Sequence, residues 1–174
     1  MSMSIVQRLF RRREASPPPH ALYAAIVAEA RRPDWYRDGA VPDTLDGRFD
    51  MVAAVMALVL LRLDREGEAG REPAARLAEL FVTDMDGQLR ERGIGDIVVG
   101  KHIGRMMSAL GGRLGAYRDG LQPGGDLEGA LRRNLYRGAE PPNAAVAHAA
   151  ARMRALAAGL GDRALGALFA GDLS

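Results

Sequence analysis

Positions 51–61 read MVAAVMALVLL, an unbroken run of eleven apolar residues. A helix needs about 20 such residues to cross a bilayer, so this run is too short to span one. A helix that is apolar on every face is typical of a protein interior. The run therefore predicts a buried central helix, which we expect to begin after Asp43 as its cap and to end near Arg65.

Helical periodicity continues on both sides of this run, and no segment alternates at period two. Proline, glycine and aspartate mark the boundaries of the other helices. We expect these helices at about 20–32, 73–93, 96–121, 126–138 and 142–160, with a short last helix capped by Asp162. Trp35 and Tyr36 fall in a connection and are expected to cover the core. The sequence predicts an all-α fold, a single-domain bundle of about six to seven helices over residues 20–174.

Residues 1–19 differ in composition from the rest and are predicted to form a flexible basic arm with a proline-rich spacer at 16–19. Apolar residues at helical spacing among arginines favour a short amphipathic helix on an anionic membrane. The residues expected at that membrane are Arg8, Phe10, Arg11, Arg12 and Arg13. A mitochondrial presequence and a solvated terminus are the two alternatives.

The net charge of +2 comes entirely from this arm. Residues 1–13 of the arm hold four arginines and no acidic residue, which leaves 20 basic and 22 acidic residues in positions 14–174, a net charge of −2. A domain that binds nucleic acid carries its own basic surface. We therefore expect no direct binding of nucleic acid.

The sequence offers little material for catalysis. It contains no cysteine, and its three histidines, His20, His102 and His148, are too dispersed to share a metal ion. The stretch from Gly95 to Lys101 resembles a phosphate-binding loop, but His102 stands where that loop requires serine or threonine, and the stretch fits a helix better. We expect no catalytic residue, no metal and no cofactor, and a protein that is not an enzyme.

Asp84 falls inside an apolar helical stripe, where a carboxylate needs a cation or hydrogen-bond donors. Arg48 and Lys101 are the candidate partners of a buried ion pair, which would either fix the helix register or serve in binding. Asp86 points to the opposite side of the helix and is expected to pair with Arg90.

The helix predicted at 96–121 carries small and basic residues opposite its apolar stripe. This face, called the glycine face below, consists of Lys101, Gly104, Arg105, Ser108, Gly111, Gly112 and Gly115. It serves either internal helix packing or the docking of a partner helix.

Several motifs together resemble the ubiquinol–cytochrome c chaperone family. They comprise Tyr36, Val41–Asp50, Asp84–Asp86, Leu89–Glu91, Gly93–Asp96, Gly100–Lys101, Gly112–Arg113, Ala116–Leu121, Asp126–Leu127, Ala130–Leu131 and Arg133–Leu135. The resemblance covers about residues 20–137 and leaves the arm and the alanine-rich tail outside.

The resemblance implies a non-enzymatic assembly factor that binds newly made cytochrome b, or another bc1 subunit, and helps to build the cytochrome bc1 complex. Mitochondrial members work with a small partner protein, so such a partner is an open expectation here. The family resemblance and the residue patterns above together indicate eight candidate partner-binding residues. They are Asp43, Asp46, Arg48, Lys101, Arg105, Gly112, Arg133 and Asn134.

We expect a bacterial cytoplasmic protein at the inner membrane, or else a protein on the matrix side of the mitochondrial inner membrane. Two other functions stay open from the residues alone. One is a membrane-peripheral helical scaffold or regulator unrelated to respiration. The other is a small helical enzyme that uses Asp84 and an arginine.

Overall fold

The computed structural model describes residues 19–91 and 96–173. Eight helices lie in these two ranges, six of them eight residues or longer, and they confirm the predicted all-α bundle. In chain order they are α1 (His20–Ala30), α2 (Pro33–Arg37), α3 (Leu45–Asp64), α4 (Glu68–Glu91), α5 (Asp96–Gly120), α6 (Leu127–Asn134), α7 (Asn143–Asp162) and α8 (Leu165–Phe169).

Helix α3 is the centre of the bundle. Every residue from Met51 to Val59 is buried, and the helix packs against α1, α4, α5 and α7. The prediction of a central buried helix is confirmed, because apolar side chains on all faces require neighbours on all sides.

Thr44 caps α3, and the prediction of Asp43 as the cap is wrong. The Thr44 hydroxyl accepts a hydrogen bond from the Gly47 backbone N–H at 3.1 Å. Asp43 instead accepts a hydrogen bond from Arg48 Nε at 2.7 Å. A hydroxyl satisfies the helix N-terminus as well as a carboxylate does, which leaves Asp43 free to pair with the arginine.

Several other predicted boundaries need correction. Helix α6 ends at Asn134 and not at 138, and Trp35 and Tyr36 lie in the short helix α2 and not in a connection. Helix α4 begins at Glu68, so Pro73 lies inside the helix and is not its first residue. Asp162 is the last residue of α7, and α8 begins after Ala164. Asp126 does cap α6, since its Oδ1 accepts the Gly129 N–H at 2.8 Å.

Helix α7 forms most of the alanine-rich tail, and its Arg152 links the tail to α1 and α2. The Arg152 guanidinium lies over the Trp35 ring, 4.7 Å from its centroid, and forms ion pairs with Glu29 and Asp34. Trp35 is fully buried and donates a hydrogen bond to the Glu29 carbonyl at 3.0 Å. The tail is thus part of the folded body.

All four tyrosines of the sequence have a raised pKa, and burial is the largest cause at each. The pKa of Tyr136 is raised to about 12, and its hydroxyl donates to the Gly39 carbonyl at 2.5 Å. The unfolded chain releases these protons near pH 10, about where free tyrosine titrates. The contribution of the buried tyrosines to stability is therefore fully present below about pH 10 and falls as the pH rises toward about 12.

We expect tyrosinate absorbance and helical circular dichroism to change together in an alkaline titration. Tyrosines that ionise near their ordinary pKa of about 10, while the helical signal persists, would contradict the burial described here.

Candidate functional site

The glycine face of α5 is open. Gly104, Arg105, Ser108, Gly111 and Gly112 are exposed, and Gly115 is half-buried. A Cβ atom placed at Gly104, Gly111, Gly112 or Gly115 would meet no heavy atom within 4 Å beyond the local helix. Of the two interpretations of this face, internal packing is therefore wrong for the described residues. The opposite side of α5 packs inward through Leu110 and Tyr117.

Two cations border the glycine face. Lys101 and Arg105 are both exposed, and Arg105 Nε donates a hydrogen bond to the Lys101 carbonyl at 3.4 Å. Neither side chain forms an ion pair with an acidic residue in the part of the chain that the structure describes. Both charges are therefore available to a partner.

Asp84 has neutral partners, so the predicted ion pair with Arg48 or Lys101 is wrong. Its Oδ2 accepts a hydrogen bond from the Tyr23 hydroxyl at 2.7 Å, and its Oδ1 accepts one from Gln88 Nε2 at 3.1 Å. The physical reason is that Tyr23 on α1 lies within hydrogen-bond distance of the carboxylate, while Arg48 pairs with Asp43. The expected pair between Asp86 and Arg90 is present at 2.7 Å.

A buried ionic cluster does occur among the described residues, and it is centred on Asp50. The sequence analysis did not identify Asp50 as a buried acid. Asp50 is fully buried and accepts hydrogen bonds from Arg113 Nη2 at 2.5 Å and from Arg137 Nε at 2.5 Å. Arg113 is itself buried and also donates to the Asn134 carbonyl at 3.2 Å. The cluster thus ties α3, α5 and the end of α6 together.

Electrostatics explains why this cluster needs two arginines. Burial raises the pKa of the Asp50 carboxyl, and the guanidinium groups of Arg137 and Arg113 oppose that rise. A single buried pair would leave lone pairs of the carboxylate without donors, whereas two guanidinium groups supply them. The hydrogen bond to Asp50 in turn raises the pKa of Arg137, so that side chain stays charged.

The structure divides the eight candidate partner-binding residues into separate places. Lys101, Arg105 and Gly112 share the glycine face. Asp46 and Asn134 belong to the surroundings of the Asp50 cluster, since Asp46 lies 3.8 Å from Arg137 and the Asn134 carbonyl accepts from Arg113. The remaining residues are Asp43 and Arg48, paired at the mouth of a cavity beside α3, and Arg133, exposed at the end of α6.

Three further expectations concern a metal site, the phosphate-loop motif and the basic arm. No group of three or more metal-ligating side chains occurs within 19–91 and 96–173. The stretch 96–101 is helical, as predicted in preference to a phosphate loop. The arm residues Arg8, Phe10, Arg11, Arg12 and Arg13 lie outside the described residues.

None of the helices in the described parts of the chain is both long enough and apolar enough to cross a membrane.

The chain matches the family model of the ubiquinol–cytochrome C chaperone over residues 37–174. The chain belongs to the ubiquinol–cytochrome c chaperone family. The match includes the alanine-rich tail, so the prediction that the tail lies outside the family resemblance is wrong. The packing of α7 on α3 and α6 gives the physical reason, because a family core cannot omit a helix that covers its centre.

A solved structure agrees with this membership in the chaperone family. The crystal structure of the Cbp3 homolog from Brucella abortus has a TM-score of 0.78 and 33% sequence identity with this chain. The alignment covers 98% of this chain and 96% of that one. A search of curated proteins found no match.

Proposed function

We propose that this protein is a non-enzymatic assembly chaperone that binds newly made cytochrome b and promotes formation of the cytochrome bc1 complex. The observation that carries the proposal is the family match over residues 37–174. The alternatives of a scaffold unrelated to respiration and of an enzyme built on Asp84 have no comparable support.

The glycine face is the proposed docking surface for a helix of cytochrome b. An exposed glycine inside a helix costs about 1 kcal/mol relative to alanine, and this face carries several of them without an internal packing reason. Glycine lets a second helix backbone approach closely, as it does between helices in membranes. Lys101 and Arg105 would meet the carbonyl end or an acidic residue of that helix.

Gly112→Leu and Arg105→Glu should each reduce capture of cytochrome b at least about tenfold while leaving the melting temperature nearly unchanged. Gly112 has open space for a side chain, and Arg105 is exposed, so neither change strains the fold. The measurement is affinity capture from solubilised membranes with immunodetection of cytochrome b.

Two matched variants control for bulk and for charge. Gly87→Leu adds the same side chain at an open, exposed position of α4, and Arg154→Glu reverses an exposed charge on α7. Both should capture cytochrome b like the unaltered protein. Equal capture by all four variants would contradict the assignment of the glycine face.

The basic arm is the proposed membrane contact. Deletion of residues 1–13 should leave the melting temperature nearly unchanged, because the proline-rich spacer separates those residues in sequence from the helical body. The same deletion should reduce salt-sensitive binding to anionic vesicles. Undiminished vesicle binding by the shortened chain would contradict this role.

A further inference from the structure

A cavity of about 710 Å³ lies between α1, α2, α3 and α4, on a different part of the surface from the glycine face. Its apolar wall includes Val27, Phe49 and Val52. Leu45 stands at the same cavity and, at 40% exposure, is the one exposed large apolar side chain among the described residues. The cavity therefore offers apolar surface that the described residues leave uncovered.

Three arginines line this cavity, and two of them are already neutralised. Arg48 pairs with Asp43 at 2.7 Å, and Arg37 pairs with Asp38 at 3.0 Å. Arg31 makes no ion pair and no side-chain hydrogen bond with any described residue. One cation at the cavity thus has no acidic partner within 19–91 and 96–173.

Asp84, in the wall of the same cavity, is an acidic residue without a cationic partner among the described residues. Its two hydrogen-bond donors, the Tyr23 hydroxyl and the Gln88 amide, are neutral, and no cation in the described residues pairs with it. Burial and the hydrogen bond to Asp84 raise the pKa of Tyr23, so the tyrosine remains the donor and the carboxylate the acceptor. A half-buried carboxylate without a cation attracts a positively charged group.

This combination of charges discriminates between occupants. A hydrocarbon chain of a lipid would cover the Asp84 carboxylate with apolar atoms, at a cost of several kcal/mol. A lysine or arginine side chain suits both the apolar wall and the Asp84 carboxylate. Its aliphatic stem packs on apolar residues, and its charged end pairs with the carboxylate. An acidic residue near that side chain would in turn neutralise Arg31.

We propose that this cavity binds a segment of the protein client through one basic side chain, which reaches Asp84, and a nearby acidic side chain, which pairs with Arg31. The inference rests on the proposed function, in which the chain binds a client protein. It adds a second contact, separate from the glycine face, and states the chemistry of the segment that fills it.

The test places a photoreactive amino acid at Leu45 in the full-length chain and identifies the crosslinked segment in cells that assemble the bc1 complex. We expect crosslinks to a client segment that contains a basic and an acidic residue. Asp84→Asn and Arg31→Gln should each lower crosslink yield at least about tenfold, since each removes one charge of a pair that the bound segment would cover. The same probe at the exposed Ala155 of α7 reports the background yield.

Two matched variants separate this effect from general loss of charge. Asp86→Asn alters an acid on the same helix that pairs with Arg90, and Arg32→Gln alters an arginine that pairs with Glu29 and Asp34. Both should change the yield less than about twofold.

Three results would overturn the cavity assignment: crosslinks from Leu45 no stronger than from Ala155, crosslinks to lipid, or a yield that does not depend on Asp84. If cytochrome b still co-purifies in those cases, the proposed function stands and only the cavity assignment fails. An Asp84-dependent crosslink to a basic segment of another, identified protein would instead support the cavity and contradict the proposed client.

Discussion

Replacing Asp50 with alanine should lower the free energy of unfolding by about 3–5 kcal/mol. The change leaves the Arg113 guanidinium buried without an anion, since its other acceptor is the neutral Asn134 carbonyl. It also removes both hydrogen bonds that hold the half-exposed Arg137 against α3. Urea denaturation followed by circular dichroism measures the loss.

Asp46→Ala is the matched control for this prediction. Asp46 lies one turn earlier on α3, its side chain is 74% exposed, and it lies 3.8 Å from the same Arg137. Its removal should cost under about 1 kcal/mol, as is usual for exposed pairs. If the two variants lose similar stability, Asp50 does not hold the buried cluster.

Gly47→Ala should destabilise the protein by about 3 kcal/mol or more, although alanine normally favours a helix. A Cβ atom at Gly47 would overlap the Pro42 backbone carbonyl, and backbone atoms cannot move aside as a flexible side chain does. The close approach arises where the chain folds back to place Thr44 as the cap of α3. Thermal or urea unfolding reports the effect.

Gly104→Ala is the same chemical change as Gly47→Ala, but we expect it to raise the stability of the fold. Gly104 is exposed inside α5, and a Cβ atom there meets nothing within 4 Å. Alanine at this position should stabilise the fold by about 1 kcal/mol through its higher helix propensity. A loss of stability in this variant, or none in Gly47→Ala, would contradict the packing described here.

The central helix was predictable because its evidence is local. Residues 51–61 are apolar on every face, and only complete burial suits such a helix. The buried state of Asp50 was also accessible in principle, because helical spacing places it beside Ala53 and Ala54. The spacing of apolar residues along a helix indicates which side faces the core, and this spacing can be recognised without knowledge of any tertiary contact.

The partners of buried charges were not predictable in this way. Asp50 binds Arg113 and Arg137, which lie 63 and 87 residues further along the chain, among 23 arginines. Asp84 was correctly placed in an apolar stripe, yet its donor Tyr23 lies 61 residues away on α1. Helical spacing fixes the direction of a side chain but not the helix that it meets.

The glycine face shows the same division between local and tertiary information. Its composition could be read from the sequence, whereas its exposure depends on how α5 packs against α3, α4 and α6. The sequence favoured internal helix packing over docking as the role of this face. Open space at Gly104, Gly111 and Gly112 removes the first of them.

The most direct test of the proposed chaperone function is a pulse-labelling experiment with the full-length chain as bait. Membranes are solubilised after a short pulse and after a chase, and labelled cytochrome b is measured in the captured material. We predict that labelled cytochrome b is captured after the pulse and leaves the bait during the chase as it enters the bc1 complex. Absence of labelled cytochrome b after the pulse, or its presence only within the completed complex, would contradict the proposal.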